Sequence, residues 1–423
     1  MSLIYNATFD KNTRKLTFEG KAGNEIYSFT VPERAPTVDD LTKPLTFRAT
    51  QDGSTVTLKK YYSPSGAFQT SRNGGKTWED YTIDTAITLN TGDEVSFRAK
   101  ADRTSGQYLR DYFYFVMRGK IEAWHNVMSL YRTNDFATYK SVMKFAFYYL
   151  FRDCTSLTKA PALPATTLAE DCYDSMFLSC RSLTKAPELP ATTLYKLCYS
   201  EMFSGCQSLK EAPELPATTL ALNCYNGMFS GCQSLTKAPE LPATTLTTGC
   251  YYGMFENCQS LTKAPELPAT TLADNCYRYM FRGCQSLTKA PELPATTLAS
   301  YCYCYMFSGC QSLTKAPVLP ATKLYEWCYN GMFSECQSLT KAPELPATTL
   351  ASSCYYRMFY GCQSLKEVLI AATTTEKDAL TDWLSGVSAT GDFYCDPNAT
   401  IFPTGTSGIP ENWTRHNIAD YPN

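Results

Sequence analysis

The stretch CQSLTKAPELPATTL occurs four times without a single change, at Cys232–Leu246, Cys258–Leu272, Cys284–Leu298 and Cys336–Leu350. Near-copies begin at four further cysteines: Cys154, Cys180, Cys206 and Cys310. The stretch therefore returns every 26 residues along about half of the chain. A fixed period of roughly 20 to 50 residues predicts a solenoid, in which each coil packs only against its two neighbours.

Two columns of cysteine run through the repeat with the same period. The first column includes Cys180, Cys206, Cys232, Cys258 and Cys284. The second column includes Cys172, Cys198, Cys224, Cys250 and Cys276. Together they define eight full units between Cys154 and Gly361. A degenerate unit precedes them, with Phe147, Leu150 and Phe151 at the positions of the repeated Tyr, Met and Phe.

Each unit has a proline-containing half and a half without proline. The Ala-Thr-Thr-Leu run has β character, but Pro187 and Pro190 cannot donate a backbone hydrogen bond, so only very short strands and a proline-set corner are expected. In the other half, placing residues at 100° intervals puts Cys172, Met176 and Phe177 on one arc and the variable positions on the opposite one. This separation predicts a helix whose constant side faces the core.

The segments around the repeat also carry strand and turn signals. Four alternating runs predict strands, at Leu45–Ala49, Thr55–Lys59, Ile87–Leu89 and Val95–Ala99, with a turn at Asn73-Gly74-Gly75. Nearer the N-terminus, Ile4–Phe9 and Lys15–Phe18 predict a hairpin and Ile26–Val31 a third strand, followed by a linker at 32–44. After Leu365 the repeat pattern breaks, and Thr375–Leu384 is predicted to form a short helix.

These elements predict an α+β protein: a leucine-rich-repeat solenoid preceded by a small antiparallel β-sandwich domain and an N-terminal β segment. A chain of 423 residues is too long for one core, which agrees with several structural units. The expected organisation is an attachment segment with linker at 1–44, the β-sandwich domain at 45–127, the solenoid at 128–365 and a C-terminal cap at 366–423.

Composition excludes several classes of function. The net charge is −2, from 38 basic and 40 acidic residues, so we expect no binding to nucleic acid. No apolar run reaches the 18 or so residues that span a bilayer, and the first residues resemble no secretory signal, so we expect neither membrane insertion nor a signal peptide in this chain.

The 19 cysteines admit three interpretations: buried thiols, disulfides or a metal site. Buried thiols are favoured, because Cys172 and Cys180 would lie too far apart on a helix for a disulfide and no C-x-x-C motif occurs. Cys304 stands at a variable position and is expected to face outward. We expect no metal, no cofactor and no catalytic residues, since the motifs of hydrolases and nucleotide-binding enzymes do not occur and both histidines lie outside the full repeats.

The pattern L-x-x-A-P-x-L-P-A-T-T-L-x-x-x-C-Y-x-x-M-F-x-x-C resembles the BspA-like leucine-rich repeats of gut and oral bacterial surface proteins. The earlier stretches LTFRATQDGSTVTL and NGGKTWEDYTI resemble the β-domain that often precedes such repeats in Bacteroides proteins. The resemblance implies a leucine-rich-repeat solenoid that serves adhesion or recognition without catalysis.

The positions that vary between copies include many aromatic and arginine residues. The candidate binding residues are Tyr195, Tyr252, Arg278, Tyr279, Tyr301, Tyr325, Trp327, Tyr356 and Arg357. Such residues contribute most of the binding energy at interfaces. Two interpretations stand: neutral drift on an exposed face, or a recognition surface.

The functional hypothesis is a non-enzymatic protein that binds a cell-surface protein or glycan. A bacteriophage fibre or decoration protein for host adhesion is slightly favoured, with residues 1–44 attached to other virion proteins. The alternatives are a bacterial cell-surface adhesin and a purely structural component of a particle, and an enzyme with its site in the β-domain is disfavoured. Assembly of the chain into a homo-oligomer is compatible with each of these.

Overall fold

The computed structural model describes residues 39–60, 68–103 and 113–422, together with the backbone of three strands nearer the N-terminus. The chain divides into two units, Met1–Asp40 and Leu41–Asn423. The first unit is an antiparallel sheet of three strands in the order β1-β2-β3: β1 (Ile4–Asp10), β2 (Lys15–Gly20) and β3 (Glu25–Thr30). The predicted hairpin and third strand are confirmed, whereas the turn after β1 and most of the predicted linker lie outside the described residues.

In its described residues the second unit begins with eight strands. They are β4 (Thr46–Ala49), β5 (Ser54–Lys60), β6 (Phe68–Ser71), β7 (Glu79–Tyr81), β8 (Ile87–Leu89), β9 (Glu94–Ala99), β10 (Phe113–Arg118) and β11 (Ile121–Trp124). The four strands expected from alternation are confirmed to within one residue at each end. The turn at 73–75 joins β6 to β7, which pair antiparallel.

These strands form two sheets. One has the order β10-β5-β8, and the other has the order β11-β4-β9-β6-β7. Rings from the two sheets meet between them, since the Phe115 ring on β10 lies 4.7 Å from that of Phe47 and 5.3 Å from that of Phe97. The second sheet continues into the repeats, because β11 also pairs in parallel with β12 (Leu157–Lys159) of the first full unit. The first coil of the repeat therefore extends an existing sheet.

The helix predicted in each repeat unit is wrong. Among the described residues the only helices are two short 3-10 helices, Val127–Leu130 and Ile418–Asp420. In the first full unit, Met176 N donates to Tyr173 O at 3.2 Å and Cys180 N donates to Phe177 O at 3.0 Å, three residues back instead of four. The repeats are therefore built from successive turns, and the α component of the expected α+β class is not present in the described residues.

Backbone hydrogen bonds to the next coil replace those of a helix. Tyr173 N donates to Cys198 O at 3.1 Å, and Phe177 N donates to Met202 O at 2.9 Å. Every fourth residue has a left-handed backbone, with φ of 55° at Asp171, and this spacing recurs in the later coils. A left-handed residue at each fourth position is incompatible with a continuous right-handed helix. We call this arrangement of residues 171–180 and its equivalents the turn ladder.

The prediction of very short strands in the proline-containing half is confirmed. Most consist of a single bridged residue, such as Lys185 with Glu211, Lys237 with Lys263, and Thr193 with Thr219, all parallel. Two-residue strands occur only near the end, where β13 (Thr349–Leu350) pairs with β15 (Thr374–Thr375). The prolines leave only isolated positions where two neighbouring coils can bond to each other.

Two columns of stacked rings fill the core of the solenoid. Phenylalanines from successive coils, Phe151 to Phe359, lie 5.3 to 5.7 Å apart between ring centroids. Tyrosines form a second column that ends at Tyr355. Phe147 stacks on the first tyrosine at 5.6 Å, which confirms the degenerate unit. Phe115 of β10 stacks on Phe151 at 5.5 Å, so the preceding domain covers this end of the column.

The cysteine side chains are part of the same core. All nineteen are free and buried. In the first column each thiol donates to the phenylalanine carbonyl of the preceding coil: Cys180 Sγ lies 3.0 Å from Phe151 O, and Cys206 Sγ lies 3.2 Å from Phe177 O. Phe177 O also accepts the amide of Cys180. The thiol therefore acts both as a small apolar group and as an additional bond between coils.

The turn ladder continues beyond Leu365. After β14 (Glu367–Leu369), Asp378 and Asp382 have positive φ, and Phe359 N donates to Trp383 O at 2.9 Å. The helix predicted at 375–384 is therefore wrong, because these residues form one further coil. Two later strands, β16 (Gly391–Cys395) and β17 (Trp413–Asn417), extend β14 into a parallel sheet.

Trp383 closes both ring columns at the C-terminal end. Its ring centroid lies 6.4 Å from those of Tyr355 and Phe359, and the side chain is fully buried. On its other sides it contacts Phe393 and Phe402, at 6.0 and 6.3 Å between ring centroids. One side chain thus connects the repeats to the residues that cover their end.

Replacement of Trp383 by alanine should lower the free energy of unfolding by about 3–5 kcal/mol, because it leaves a large cavity at the end of both columns. Hydrogen exchange should then accelerate first in the last coils, since each coil is supported only by its neighbours. Chemical denaturation and exchange mass spectrometry measure these effects, with exposed Tyr195→Ala as the control. An effect no larger than that of the control would contradict the proposed role of Trp383.

Candidate functional site

Most candidate binding residues come together on the turn ladder of the later coils. We define the aromatic–arginine surface as Tyr252, Arg278, Tyr279, Tyr301, Tyr305, Trp327, Tyr356 and Arg357. Each of these side chains is half-buried. They come from five successive coils, so the surface runs along the solenoid instead of across one unit.

Tyr279 lies at the centre of the first part of this surface. Its ring is 5.5 Å from that of Tyr252, in an edge-to-face arrangement, and 5.6 Å from that of Tyr305. The guanidinium carbon of Arg278 lies 4.9 Å from the centroid of Tyr279 and 5.0 Å from that of Tyr301. Edge-to-face rings and cations over rings are both favourable contacts, so this group is held in a defined arrangement.

The second part continues toward the C-terminal end. The rings of Tyr301 and Trp327 are stacked 5.7 Å apart with an interplanar angle of 3°, and Tyr356 follows at 5.8 Å from Trp327. The guanidinium of Arg357 lies 5.3 Å from the Tyr356 centroid and 3.3 Å from a carboxylate oxygen of Asp382. The contacts therefore form an unbroken series from Tyr252 to the coil that contains Trp383.

Several of these residues occupy strained backbone positions. Positive φ values, from 52° to 59°, occur at five of them: Tyr279, Tyr301, Tyr305, Trp327 and Arg357. In most other coils the same positions hold residues that adopt this conformation readily: Asn223, Gly227, Gly249, Gly253, Asn275 and Gly331. Leu197 and Glu201 are exceptions that also have positive φ there. A bulky residue in the left-handed region costs about 1–2 kcal/mol. The solenoid does not require these side chains, and it folds despite them.

Seven of the nine candidate residues lie in this surface, and two do not. Tyr195 is exposed on an earlier coil, and Tyr325 packs partly against the core. The sequence interpretation missed Tyr305, although it occupies the same repeat position as Tyr279. A Cβ atom at Gly331 would lie 2.3 Å from the Tyr305 ring, so glycine in the next coil makes room for it.

Cys304 lies beside the aromatic–arginine surface. The expectation that it faces outward is wrong, because only 1% of the residue is exposed and its Sγ lies 3.4 Å from Asn330 Oδ1. Burial raises the pKa of the Cys304 thiol to about 12. The thiol is therefore protonated at neutral pH and unsuited to nucleophilic chemistry.

The corresponding face of the first full units is acidic. Asp171 is 7% exposed, and Asp174 is half-buried with Ser175 Oγ donating to its carboxylate at 2.7 Å. Burial raises the pKa of Asp174 from 3.8 to about 7, with smaller contributions from the charges of Glu201 and Asp171. Among the full units, the variable face therefore has carboxylates in the first and arginine and aromatic residues in the later ones.

Asp174 should make stability depend on pH. Between about pH 4 and pH 7 the folded state retains a proton on Asp174 that the unfolded state releases, so the contribution of Asp174 to stability falls as pH rises through this range. We call the free energy of unfolding of Asp174→Asn minus that of the wild type the margin. This margin should increase by about 1–4 kcal/mol from pH 4 to pH 8. Denaturant titrations at several pH values measure this margin.

Glu170 provides a control of opposite sign. Hydrogen bonds from Lys144 and Lys196 lower the pKa of its carboxyl group. Glu170→Gln should therefore destabilise the protein at neutral pH, and this effect should disappear as the pH falls below the ordinary glutamate range. A margin for Asp174→Asn that stays constant across pH would contradict the interpretation.

Other features offer less for a specific site. Grooves between successive Lys-Ala-Pro-Glu-Leu-Pro segments repeat along another face, one of them lined by Pro291, Pro294 and Pro317. These grooves are built from residues that nearly every coil shares. Within the described ranges, no group of three or more His, Cys, Asp or Glu side chains could hold a metal ion. No helix in the same ranges is long and apolar enough to cross a membrane.

The parallel coils and the leucine-containing repeat define a leucine-rich-repeat solenoid. The family model for the BspA type leucine rich repeat region matches residues 140–262, 196–329 and 248–379, and the chain belongs to this family. No curated protein and no solved structure shows a significant match. The family is one of non-enzymatic protein-interaction repeats typical of surface-exposed proteins, which indicates a protein-binding role of the surface or adhesion type.

Proposed function

We propose that this chain is a recognition protein without enzymatic activity, and that its aromatic–arginine surface binds a protein on a cell surface. A cell-surface glycan is the alternative ligand for the same side chains. The observation that carries the proposal is the unbroken series of contacts among aromatic and arginine side chains from five successive coils. Neutral drift does not require the variable residues of neighbouring coils to contact one another, whereas selection for a shared binding surface accounts for it.

The composition of the surface supports the same conclusion. Tyrosine, tryptophan and arginine are the residues that contribute most often to interface hot spots. Their half-buried positions and mutual contacts restrict side-chain motion, so less conformational entropy is lost when a ligand binds. The surface can therefore act as a preorganised contact area.

We further propose two settings for this activity, a bacteriophage particle and a bacterial cell surface, with the phage setting slightly favoured. Residues 1–44 would attach the protein to its support, for which the separate unit Met1–Asp40 is suited. The two sheets within 45–127 would form a β-sandwich that covers one end of the solenoid at 128–365, and 366–423 would cover the other. Immunogold labelling in the natural source distinguishes particles from cell envelopes.

The repeats themselves supply substitutions that test the surface without disturbing the fold. A triple variant, Tyr279→Gly, Trp327→Asn and Arg357→Gly, introduces residues that other coils have at the same positions. It should reduce adhesion to host cells by about 100-fold or more, since three hot-spot side chains are lost, while relief of backbone strain preserves stability. Flow cytometry of labelled protein and thermal unfolding measure the two effects.

The matched control uses the two candidates outside the surface. A double variant, Tyr195→Ala and Tyr325→Ala, also introduces residues found at equivalent positions in other coils. It should keep adhesion within a few-fold of the wild type, as expected for residues outside the hot spot. If the triple variant adheres normally, the proposal is wrong and the solenoid is better regarded as a structural spacer.

A further inference from the structure

Two arginines that contact rings of the aromatic–arginine surface already have a carboxylate partner. Arg282, which lies over the Tyr279 ring, has Nη1 3.2 Å from a carboxylate oxygen of Glu256, and Arg357 Nη2 lies 3.3 Å from one of Asp382. Arg278 makes no such ion pair with any described residue. One positive charge of the surface is therefore not neutralised within this part of the chain.

The donors of Arg278 are only partly used. Its Nη1 donates to Asn275 Oδ1 at 3.2 Å, and its Nη2 donates to the Tyr279 hydroxyl at 3.1 Å. Its Nε is buried without a hydrogen-bond partner. A guanidinium has five N–H donors, and these two neutral acceptors leave most of them without a hydrogen-bond acceptor among the described residues. Because Nε is buried, the donors that remain for an incoming group are the other N–H groups of Nη1 and Nη2.

Three rings hold the guanidinium in place. Its central carbon lies 4.9 Å from the ring centroid of Tyr279, 5.0 Å from that of Tyr301 and 5.8 Å from that of Tyr252. Contacts with ring faces stabilise the cation but satisfy none of its N–H groups. The rings also bury part of Arg278, and partial burial strengthens the attraction between this cation and an incoming anion.

Two carboxylates in this part of the solenoid bond to groups other than Arg278. Asp274 accepts the backbone amide of Ser300 at 3.0 Å, and Glu326 accepts the Trp327 indole at 2.9 Å. The buried thiol of Cys304 is neutral at physiological pH. The edges of aromatic rings carry a positive potential, which also favours an anion.

We propose that Arg278 receives the carboxylate of an aspartate or glutamate side chain from the bound protein. This inference rests on the proposed function and specifies the chemistry of its central contact. The planar guanidinium matches a carboxylate with two parallel hydrogen bonds, so the contact would fix the orientation of the partner as well as add affinity. The surrounding tyrosine and tryptophan rings would pack against the apolar parts of the same segment.

The test uses the full-length chain and two synthetic peptides of equal length, one rich in glutamate and one with every glutamate replaced by glutamine. Fluorescence anisotropy of the labelled peptides measures binding. The glutamate peptide should bind at least about tenfold more tightly than the glutamine peptide, because only the former supplies charged hydrogen-bond acceptors. Arg278→Asn should remove about tenfold of that affinity.

Arg282→Ser is the matched control, because it also removes one arginine from the same coil. Both substitutions introduce residues that occur at equivalent positions of other coils. Because Arg282 is already paired, its loss should change peptide affinity by no more than about twofold. Equal losses in the two variants would show non-specific attraction to net charge and would overturn the proposal.

Two other outcomes would also overturn it. One is failure of the glutamate peptide to bind while a uronic-acid oligosaccharide binds in an Arg278-dependent manner, which would identify a glycan carboxylate as the ligand. The other is unchanged peptide binding by Arg278→Asn. If host-cell adhesion is lost in the triple variant but intact in Arg278→Asn, the proposed function stands and only this inference fails.

Discussion

Backbone hydrogen bonds between neighbouring coils are the interactions on which the rest of this structure depends. In the turn ladder every second amide bonds to the next coil, as Tyr173 does to Cys198 and Phe177 to Met202. These bonds fix the distance between coils, and that distance places each core ring 5.3 to 6.0 Å from its neighbour. They also bring each first-column thiol within reach of the preceding coil's phenylalanine carbonyl. The almost unchanged repeat sequence follows, because every coil must satisfy the same contacts on both sides.

The same constraint determines where the sequence can vary. The inward positions are occupied by rings, thiols and methionines that contact two neighbours each, and a change there would disturb three coils. The outward residues of the turn ladder are less restricted. However, one residue in every four along the chain has a left-handed backbone, which favours glycine or asparagine. Tyrosine, tryptophan and arginine occupy several of these positions in the later coils, where they contact one another, and Tyr149 occupies one in the degenerate first coil. A repetitive scaffold therefore acquires a local, non-repetitive surface at a modest cost in backbone energy.

The sequence predicted the period, the degenerate first unit and most strands before the repeats, because a 26-residue repeat and alternating apolar residues are strong signals. It did not predict the turn ladder. An α-helix has a period of 3.6 residues and the turn ladder a period of four. Over nine residues both periods place Cys172, Met176 and Cys180 on the same side, so the spacing of these residues does not distinguish the two structures. The distinguishing signal was the recurrence of Gly and Asn every fourth residue, as at Gly249, Gly253 and Asn257. The mutual contacts of the aromatic residues require the spacing between coils and could not be derived from sequence.

Turns bonded between coils, and not helices, form the constant side of each repeat. Far-ultraviolet circular dichroism of the purified chain is the most direct test of this arrangement. Variants with substitutions in the tyrosine column give the contribution of the aromatic rings to the spectrum. We expect a spectrum without the paired minima of an α-helix. On heating, the far-ultraviolet signal and the aromatic near-ultraviolet bands should be lost together in one transition. Strong helical minima in the native protein, corresponding to one helix in each repeat, would contradict the account.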